Sequence, residues 1–263
     1  MFAIENETDS IMHSSFRRVP AIDKCIAILE LLAQSKEPLG ISDISAKLDL
    51  NKSTVFNTVH TLVDLNVIEN HRAGKFVLGT RFYVLANIAG TRSALIQTAH
   101  PYLERINEKT RLSVFLGLRS DRKAILIDKV DSTYGIKVSS EIGIQMPVLA
   151  GAGIKAMLSQ LPDEEIDKIL SRTELRKYTP HSIIDKAAYK EEIRTVRERG
   201  VAYDREEYIE GMVAFAIPVK AYGTNVQAAI WAVGLAHQVP ESAIPELTEF
   251  ARGISSEINH RLL

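Results

Sequence analysis

The apolar positions between Ile41 and Val67 fall into two helical stripes separated by a polar turn. Ile41, Ile44 and Leu48 recur at the spacing that places side chains on one helix face, and Val55, Val59, Leu62 and Val63 do so again. The turn between them is Leu48-Asp49-Leu50-Asn51, and Asn51 is placed to cap the second helix by accepting a backbone N–H through its side chain. Lys52, Ser53, Thr54, Asn57 and Thr58 are left outside, near the start of the second helix. Ile68-Glu69-Asn70 and Lys75-Phe76-Val77-Leu78 then read as two short strands around His71-Arg72-Ala73-Gly74, where Gly74 gives the turn its backbone freedom.

A helix pair joined by a polar turn also occurs in plain helical bundles. The hairpin directly after it favours a winged helix-turn-helix. The outward residues suit DNA: Lys52 neutralises phosphate, the Ser53 and Thr54 hydroxyls bond phosphate oxygens, and Asn57 bonds a base edge, adenine best. Arg72 and Lys75 at the wing tip reach phosphates or a neighbouring groove.

The pattern along the remaining chain divides it further. Residues 1–18 are polar and aperiodic and read as a flexible tail. Residues 21–34 form an amphipathic helix with Ile22, Ile26, Leu29 and Leu32 or Ala33 facing inward. From Thr80 to Arg111 the pattern is helical, with Phe82, Leu85, Ile88 and Ala89 in one stripe and Leu95, Ala99, Leu103 and Ile106 in the next. Pro101 places a boundary near His100. Strand-like runs follow at 113–118, 124–130 and 136–140, and helices at 152–161, 163–170 and 185–199, the last closed by Gly200. Strands at 201–206, 213–220 and 227–235, the last two joined at a Gly223 turn, precede a closing helix at 242–261. Strands paired by hairpins with helices between them indicate an α+β domain. The expected division is a tail at 1–18, a winged helix-turn-helix domain at 19–80, a linker helix at 81–98 and an α+β domain at 99–263. The apolar stripe of the linker helix needs a partner, and a second copy of the chain is the natural one.

Composition changes this picture little. The chain has 263 residues, 46% hydrophobic and 25% charged, which is ordinary for a folded protein with ample core. Net charge is −1, so the whole chain carries no nucleic-acid signature. Residues 51–81 hold Lys52, Arg72, Lys75 and Arg81 against Asp64 and Glu69, four minus two, a weak footprint that argues for binding as an oligomer. The lone Cys25 lies on an apolar helix face and reads as a structural thiol. No apolar run is long enough for a membrane span, and Glu5, Glu7 and Asp9 stand where a signal peptide is positive, so a cytoplasmic protein without membrane association is expected.

Catalysis finds no support. No two of the seven histidines stand at a metal-ligand spacing among carboxylates, and Walker, dinucleotide and nucleophile-elbow motifs are missing. Glu206 and Glu207 are expected on opposite faces of a strand, not as an acid–base pair. His60 and His71 need no role beyond phosphate contact or solvation. The expectation is no enzyme, no metal and no cofactor.

Leu50–Leu62 (LNKSTVFNTVHTL), Val138–Met157 (VSSEIGIQMPVLAGAGIKAM) and Gly200–Val219 (GVAYDREEYIEGMVAFAIPV), in this order and spacing, resemble the isocitrate-lyase-regulator (IclR) family of bacterial transcription factors. The resemblance runs from about Ala21 to the C-terminus. It implies a winged helix, a linker helix and a GAF-like α+β effector-binding domain. It also implies a regulator that binds palindromic, double-stranded operator DNA as a dimer or dimer of dimers, responds to a small metabolite and controls a catabolic operon. The alternative is a winged-helix sensor that acts through a protein partner.

Three stretches are candidates for the effector site. Gly151, Ala152 and Gly153 open a helix whose free N–H groups and dipole suit a carboxylate, unless they only pack a helix start against a strand. The resemblance places effector contacts there, although members tend to have a larger residue and then glycine before the lysine, where this chain has Gly153-Ile154. The position matching Asp204 contacts the effector in characterised members; beside an anionic ligand it serves as acceptor for a hydroxyl or amine. Where members that bind small acids carry a cysteine and two serines, this chain has Ala214, Trp231 and Val233. Trp231 either fills the cavity as a core aromatic or stacks on an apolar or aromatic effector, with Met146 and Met212 as adaptable walls. An organic acid with an apolar or aromatic body is expected.

Overall fold

Ten apolar residues scattered over the first third of the chain meet in one core: Ile28, Leu29, Leu32, Leu39, Ile44, Val55, Val59, Leu62, Ile68 and Phe76. In the computed structural model, residues 19–91, 93–120, 123–147, 149–220 and 226–262 are described. The tail at 1–18 and the Gly223 turn lie outside the described residues. Two compact units emerge, Met1–Gly90 and Thr91–Leu263.

In the first unit, helix α1 (Pro20–Gln34) leads to a short strand β1 (Leu39–Gly40) and helices α2 (Ile41–Leu48) and α3 (Lys52–Asp64). Strands β2 (Ile68–His71) and β3 (Lys75–Leu78) form the wing, with β1 completing an antiparallel sheet in the order β1-β3-β2. Helix α4 (Thr80–Thr91) follows. The α2–α3 turn depends on Asp49 in the left-handed region (φ 52°) and on Ser45, whose carbonyl accepts the Leu50 N–H at 3.1 Å while its hydroxyl donates to the Leu50 carbonyl at 2.6 Å. Gly79 lets the chain turn from wing to α4, since a β-carbon there would stand 2.6 Å from the Asn66 carbonyl oxygen.

Two expectations fail in this unit. Asn51 occupies the N-cap position of α3, but its side chain makes no capping hydrogen bond; its carbonyl accepts from Val55 at 3.1 Å instead. In α1 the buried face is Ile28, Leu29 and Leu32, and Ile22 and Ile26 are exposed. The core lies against the C-terminal half of α1, and Ile22 and Ile26 in its first turns stay exposed.

The second unit begins with α5 (Ala94–Thr110). Six antiparallel strands, β4 (Ser113–Ser120), β5 (Lys123–Val130), β6 (Gln145–Pro147), β7 (Ala202–Arg205), β8 (Met212–Lys220) and β9 (Gln227–Leu235), lie in the order β6-β5-β4-β9-β8-β7. Between β6 and β7 run α6 (Gly151–Leu158), α7 (Asp163–Arg172) and α8 (Lys186–Arg199), and α9 (Ile244–Arg261) closes the chain. Alternate strand residues feed two cores. Phe115, Leu126 and Trp231 join α6, α7 and α8 on one face, and Val114, Leu116, Phe215 and Ile230 join α5 and α9 on the other. This is the α+β domain expected from the pattern.

Pro101 does not end a helix. The break falls between α4 and α5, where the Ser93 hydroxyl accepts the Ile96 N–H at 3.4 Å, and Pro101 stays inside α5. One lost backbone bond is outweighed by burial of Ala99, Tyr102, Leu103 and Ile106 around it. The strand expected at 136–140 is irregular. Its Ile136 carbonyl accepts from the Gln238 side chain at 3.0 Å and its Val138 carbonyl from the Ser113 hydroxyl, so the ladder on β5 is taken by β6 instead.

Candidate DNA-binding face and ligand cavity

The buried stripe of α3 fixes what its other face presents. Val55, Val59 and Leu62 are in the core, and Lys52, Ser53 and Asn57 are exposed. Thr54 and Thr58 are half-buried, and the Thr58 hydroxyl already donates to the Thr54 carbonyl at 2.9 Å. At the wing tip Ala73 and Gly74 both take left-handed backbone (φ 59° and 68°), and Arg72 and Lys75 on either side are exposed. Arg81 is not part of this basic set, because its guanidinium donates to the Leu65 carbonyl at 3.0 Å.

Sequence reasoning passed over Phe56. Its ring is 50% exposed on the outer face of α3 and lies 4.2 Å from that of His60, which in turn meets the buried Phe76 of β3 edge-on at 6.0 Å. His60 is thus a packing residue and not merely solvated. The signal was present in the sequence: Phe56 falls outside the Val55–Val59–Leu62 stripe, on a face otherwise polar.

In the second unit a cavity of about 230 Å³ opens between the sheet and the start of α6. Met146, Gly151, Ala152, Gly153, Asp204, Met212, Ala214, Trp231 and Val233 all line it, with Phe115, Leu126, Ile144 and Tyr208 among the rest of the wall. The register explains the convergence: Asp204 pairs with Ala214 and Ala214 with Val233, so three neighbouring strands present these side chains to one face. Among the described residues the wall contains no Lys, Arg or His. Polar groups are therefore few: the N–H groups opening α6, the Ser139 and Ser140 hydroxyls, Tyr208 and Asp204.

Trp231 is 6% exposed, and two glycines make room for it. A β-carbon on Gly117 would stand 2.6 Å from its Cη2, and one on Gly153 would stand 2.8 Å from its Cε3. The Phe115 ring packs beside it at 5.8 Å. Gly153 is therefore matched to the indole of this chain.

Asp204 is buried. Its Oδ1 accepts the Glu207 N–H at 2.7 Å, and a β-carbon at Gly151, the first residue of α6, would lie 3.6 Å from its Oδ2. Burial pushes its carboxyl up to about 6, and the nearby Glu207 charge adds to the shift; the Glu207 and Tyr208 N–H groups and the Lys155 ammonium oppose it.

Behind the cavity, Lys155 of α6 is 1% exposed and donates to Glu207 Oε1 at 2.7 Å, with Glu192 at 3.9 Å. Glu206 and Glu207 are not on a strand: β7 ends at Arg205 and Glu206 turns the chain with φ 60°. Its carboxylate accepts the Gly211 N–H at 2.7 Å. The Tyr189 hydroxyl, facing the same cluster, is buried without a hydrogen-bond partner among the described residues, and burial together with the Glu207, Glu192 and Asp204 charges raises it well above the ordinary tyrosine value. The Lys155 pairing was legible in outline, since a lysine set among Ile154, Ala156, Met157 and Leu158 must be buried and must find a partner. Its partner, distant in sequence, was not. No group of three His, Cys, Asp or Glu is arranged to hold a metal among the described residues, and no described helix is long and apolar enough to cross a membrane.

Comparison with known proteins extends these observations. A family described as bacterial transcriptional regulator IclR C-terminal matches residues 89–260, and the IclR helix-turn-helix domain matches residues 21–72. The HTH-type transcriptional repressor AllR of Salmonella typhimurium is 26% identical over 243 residues, 92% of this chain and 89% of the relative. Two solved structures share the fold. An IclR transcriptional regulator from Alicyclobacillus acidocaldarius superposes with a TM-score of 0.82 at 21% identity, over 94% of this chain and 100% of the other. An IclR homolog from Microbacterium hydrocarbonoxydans, solved in complex with 4-hydroxybenzoate, superposes with a TM-score of 0.79 at 21% identity, over 92% and 98%.

Proposed function

This chain belongs to the IclR family of bacterial transcriptional regulators, and from that premise we propose how its two units divide the work. The first binds operator DNA through Lys52, Ser53, Thr54, Asn57 and Thr58 of α3 and through Arg72 and Lys75 of the wing. The second binds an organic acid with an apolar or aromatic body. Its carboxylate bonds the N–H groups of Gly151, Ala152 and Gly153, a hydroxyl or amine donates to Asp204, and its body lies against Trp231, Met146, Met212, Ala214 and Val233.

The observation that carries the effector reading is the convergence of nine residues, from β6, α6, β7, β8 and β9, on one cavity with an apolar wall, a helix start and a buried carboxyl. The chemistry of 4-hydroxybenzoate, bound by a homolog of the same fold, matches that set: one carboxylate, one hydroxyl and a ring. Glyoxylate-sized acids carry no apolar body for the indole and both methionines to pack on.

The exposed Phe82, Val84, Leu85 and Ile88 of α4 support dimerisation through that helix, and the modest basic footprint of one copy supports operator binding as a dimer or dimer of dimers. Effector binding then shifts the relative placement of two DNA-binding units, and so the fit to two half-sites. We place this regulator in the cytoplasm, controlling a catabolic operon and catalysing no reaction.

A thermal-shift screen of purified protein against aliphatic and aromatic acids, their amides and coenzyme A thioesters tests the reading. A ligand specific to the folded state contributes about 2.7 kcal/mol at a hundredfold excess over its Kd. The proposal expects hits among aromatic or apolar carboxylates that also change operator affinity. Hits confined to glyoxylate-sized acids, or none, overturn the effector class.

A further inference from the structure

The face of α3 that is offered to DNA carries one apolar group. Phe56 stands one turn beyond Lys52 and Ser53 and beside Asn57, with half of its ring exposed. An exposed phenylalanine forgoes the stabilisation that burial gives, and a partner that covers the ring recovers it. The ring is also held in place: it leans on His60 at 4.2 Å, and His60 is wedged against Phe76, which is buried in the core of the winged unit. This row of three rings runs from the core to the contact face, so little rotamer freedom is lost when Phe56 meets a partner.

Among the groups lining the major groove of B-DNA, the thymine C5-methyl is the apolar one; the others are hydrogen-bond donors and acceptors. Lys52, Ser53 and Asn57 supply polar contacts to phosphate and base edges, and Phe56 can make none. We infer that Phe56 is a sequence-reading residue that packs on a thymine methyl in each operator half-site, adjacent to the base met by Asn57. The inference rests on α3 being the helix that enters the major groove.

The test uses the full chain and operator duplexes selected with it from a random-sequence pool. In the selected duplex each thymine is replaced in turn by uracil, which removes the methyl and keeps every hydrogen-bonding group. One thymine per half-site is expected to lose about fourfold in affinity on that change, the worth of one buried methyl. Phe56→Ala loses its preference for thymine at that position and no longer distinguishes thymine from uracil there, while Phe56→Leu keeps the preference. Uracil tolerated at every thymine by the native protein overturns the inference even if Phe56→Ala folds poorly, because that scan needs no variant. So does a Phe56→Ala protein that weakens all duplexes equally and still senses the methyl. A selection that yields no preferred sequence contradicts operator recognition itself, a different failure from a preferred sequence without methyl sensitivity.

Discussion

Trp231 of β9 occupies the space that a side chain at Gly153 of α6 would need: a β-carbon there would stand 2.8 Å from Cε3 of the indole and 3.0 Å from Cδ2. The two positions are distant in sequence and fitted to one another in the cavity wall. Gly153→Ala is therefore expected to displace the indole, lowering stability by about 1–3 kcal/mol and weakening effector binding. Adding Trp231→Ala removes the clash, so the double variant is less destabilised than the sum of the singles. Urea unfolding of the four proteins measures this, and additive losses would show that glycine and indole are independent.

Trp231→Ala alone enlarges the cavity. Its expected stability loss is about 3–5 kcal/mol, and its effector preference should move toward bulkier bodies. Calorimetric titration with a series of aromatic acids of increasing size checks this. Unchanged affinity and unchanged rank order would mean that the indole plays no part in recognition.

Asp204 makes stability depend on pH in a definite direction. Its carboxyl is raised from 3.8 to about 6 in the folded chain, so the folded state holds the proton more tightly than the unfolded state. The resulting stabilisation, on the order of 3 kcal/mol from the shift, is complete below about pH 4 and lost as pH rises through 6. The stability difference between the native protein and Asp204→Asn, followed by urea unfolding from pH 4 to 8, should show a slope confined to that window. A flat difference would place the carboxyl at its ordinary value.

Lys155→Met leaves Glu207 and Glu192 facing each other without the ammonium that stands between them at 2.7 and 3.9 Å. Breaking a buried pair from one side costs about 3–5 kcal/mol. Lys155→Met/Glu207→Leu should recover part of that loss, since no uncompensated charge from the pair remains. Thermal melts at neutral pH decide it, and a double variant worse than the single would contradict the pairing.

On the DNA side, contact types separate by salt. Lys52→Ala, Arg72→Ala and Lys75→Ala should each weaken binding to all sequences and lower the slope of log affinity against log salt by about 1. Asn57→Ala should cost about 1–3 kcal/mol at one base position, and Ser53→Ala/Thr54→Ala/Asn57→Ala should abolish specific binding with the fold intact. Thr58→Ala should change least, because its hydroxyl is already bonded within α3. Operator titrations across salt concentrations give all of these values.

What was legible in the sequence followed from local periodicity. The stripes of α2 and α3 place Ile44, Val55, Val59 and Leu62 in the core as read, and the wing turns at Gly74 as read. The misses arose where a distant partner decided the outcome. Ile22 and Ile26 continue the apolar stripe of α1 but extend past the core that buries Leu29 and Leu32. Pro101 is tolerated because the burial around it outweighs one lost bond. Ile136–Ser140 has the composition of a strand, yet its carbonyls meet Gln238 and Ser113 side chains, a pairing that no local window reveals. In the cavity, the candidate residues could be named one by one, since β-strand alternation and a helix start are local features. The glycine pocket around Trp231 and the Lys155–Glu207 pair join residues far apart in the chain, and only the fold brings them together.

Trp231 is the single tryptophan of the chain and part of the cavity wall, so its fluorescence reports on the proposed effector site directly. The most direct measurement is a titration of purified protein, excited at the indole edge, with benzoate-type acids and with glyoxylate. The account predicts a saturable change in Trp231 emission with aromatic acids and none with glyoxylate, lost when Asp204 and Gly151 are substituted. An aromatic acid that raises the melting temperature and leaves Trp231 emission untouched would contradict it, because the ligand would then be bound elsewhere.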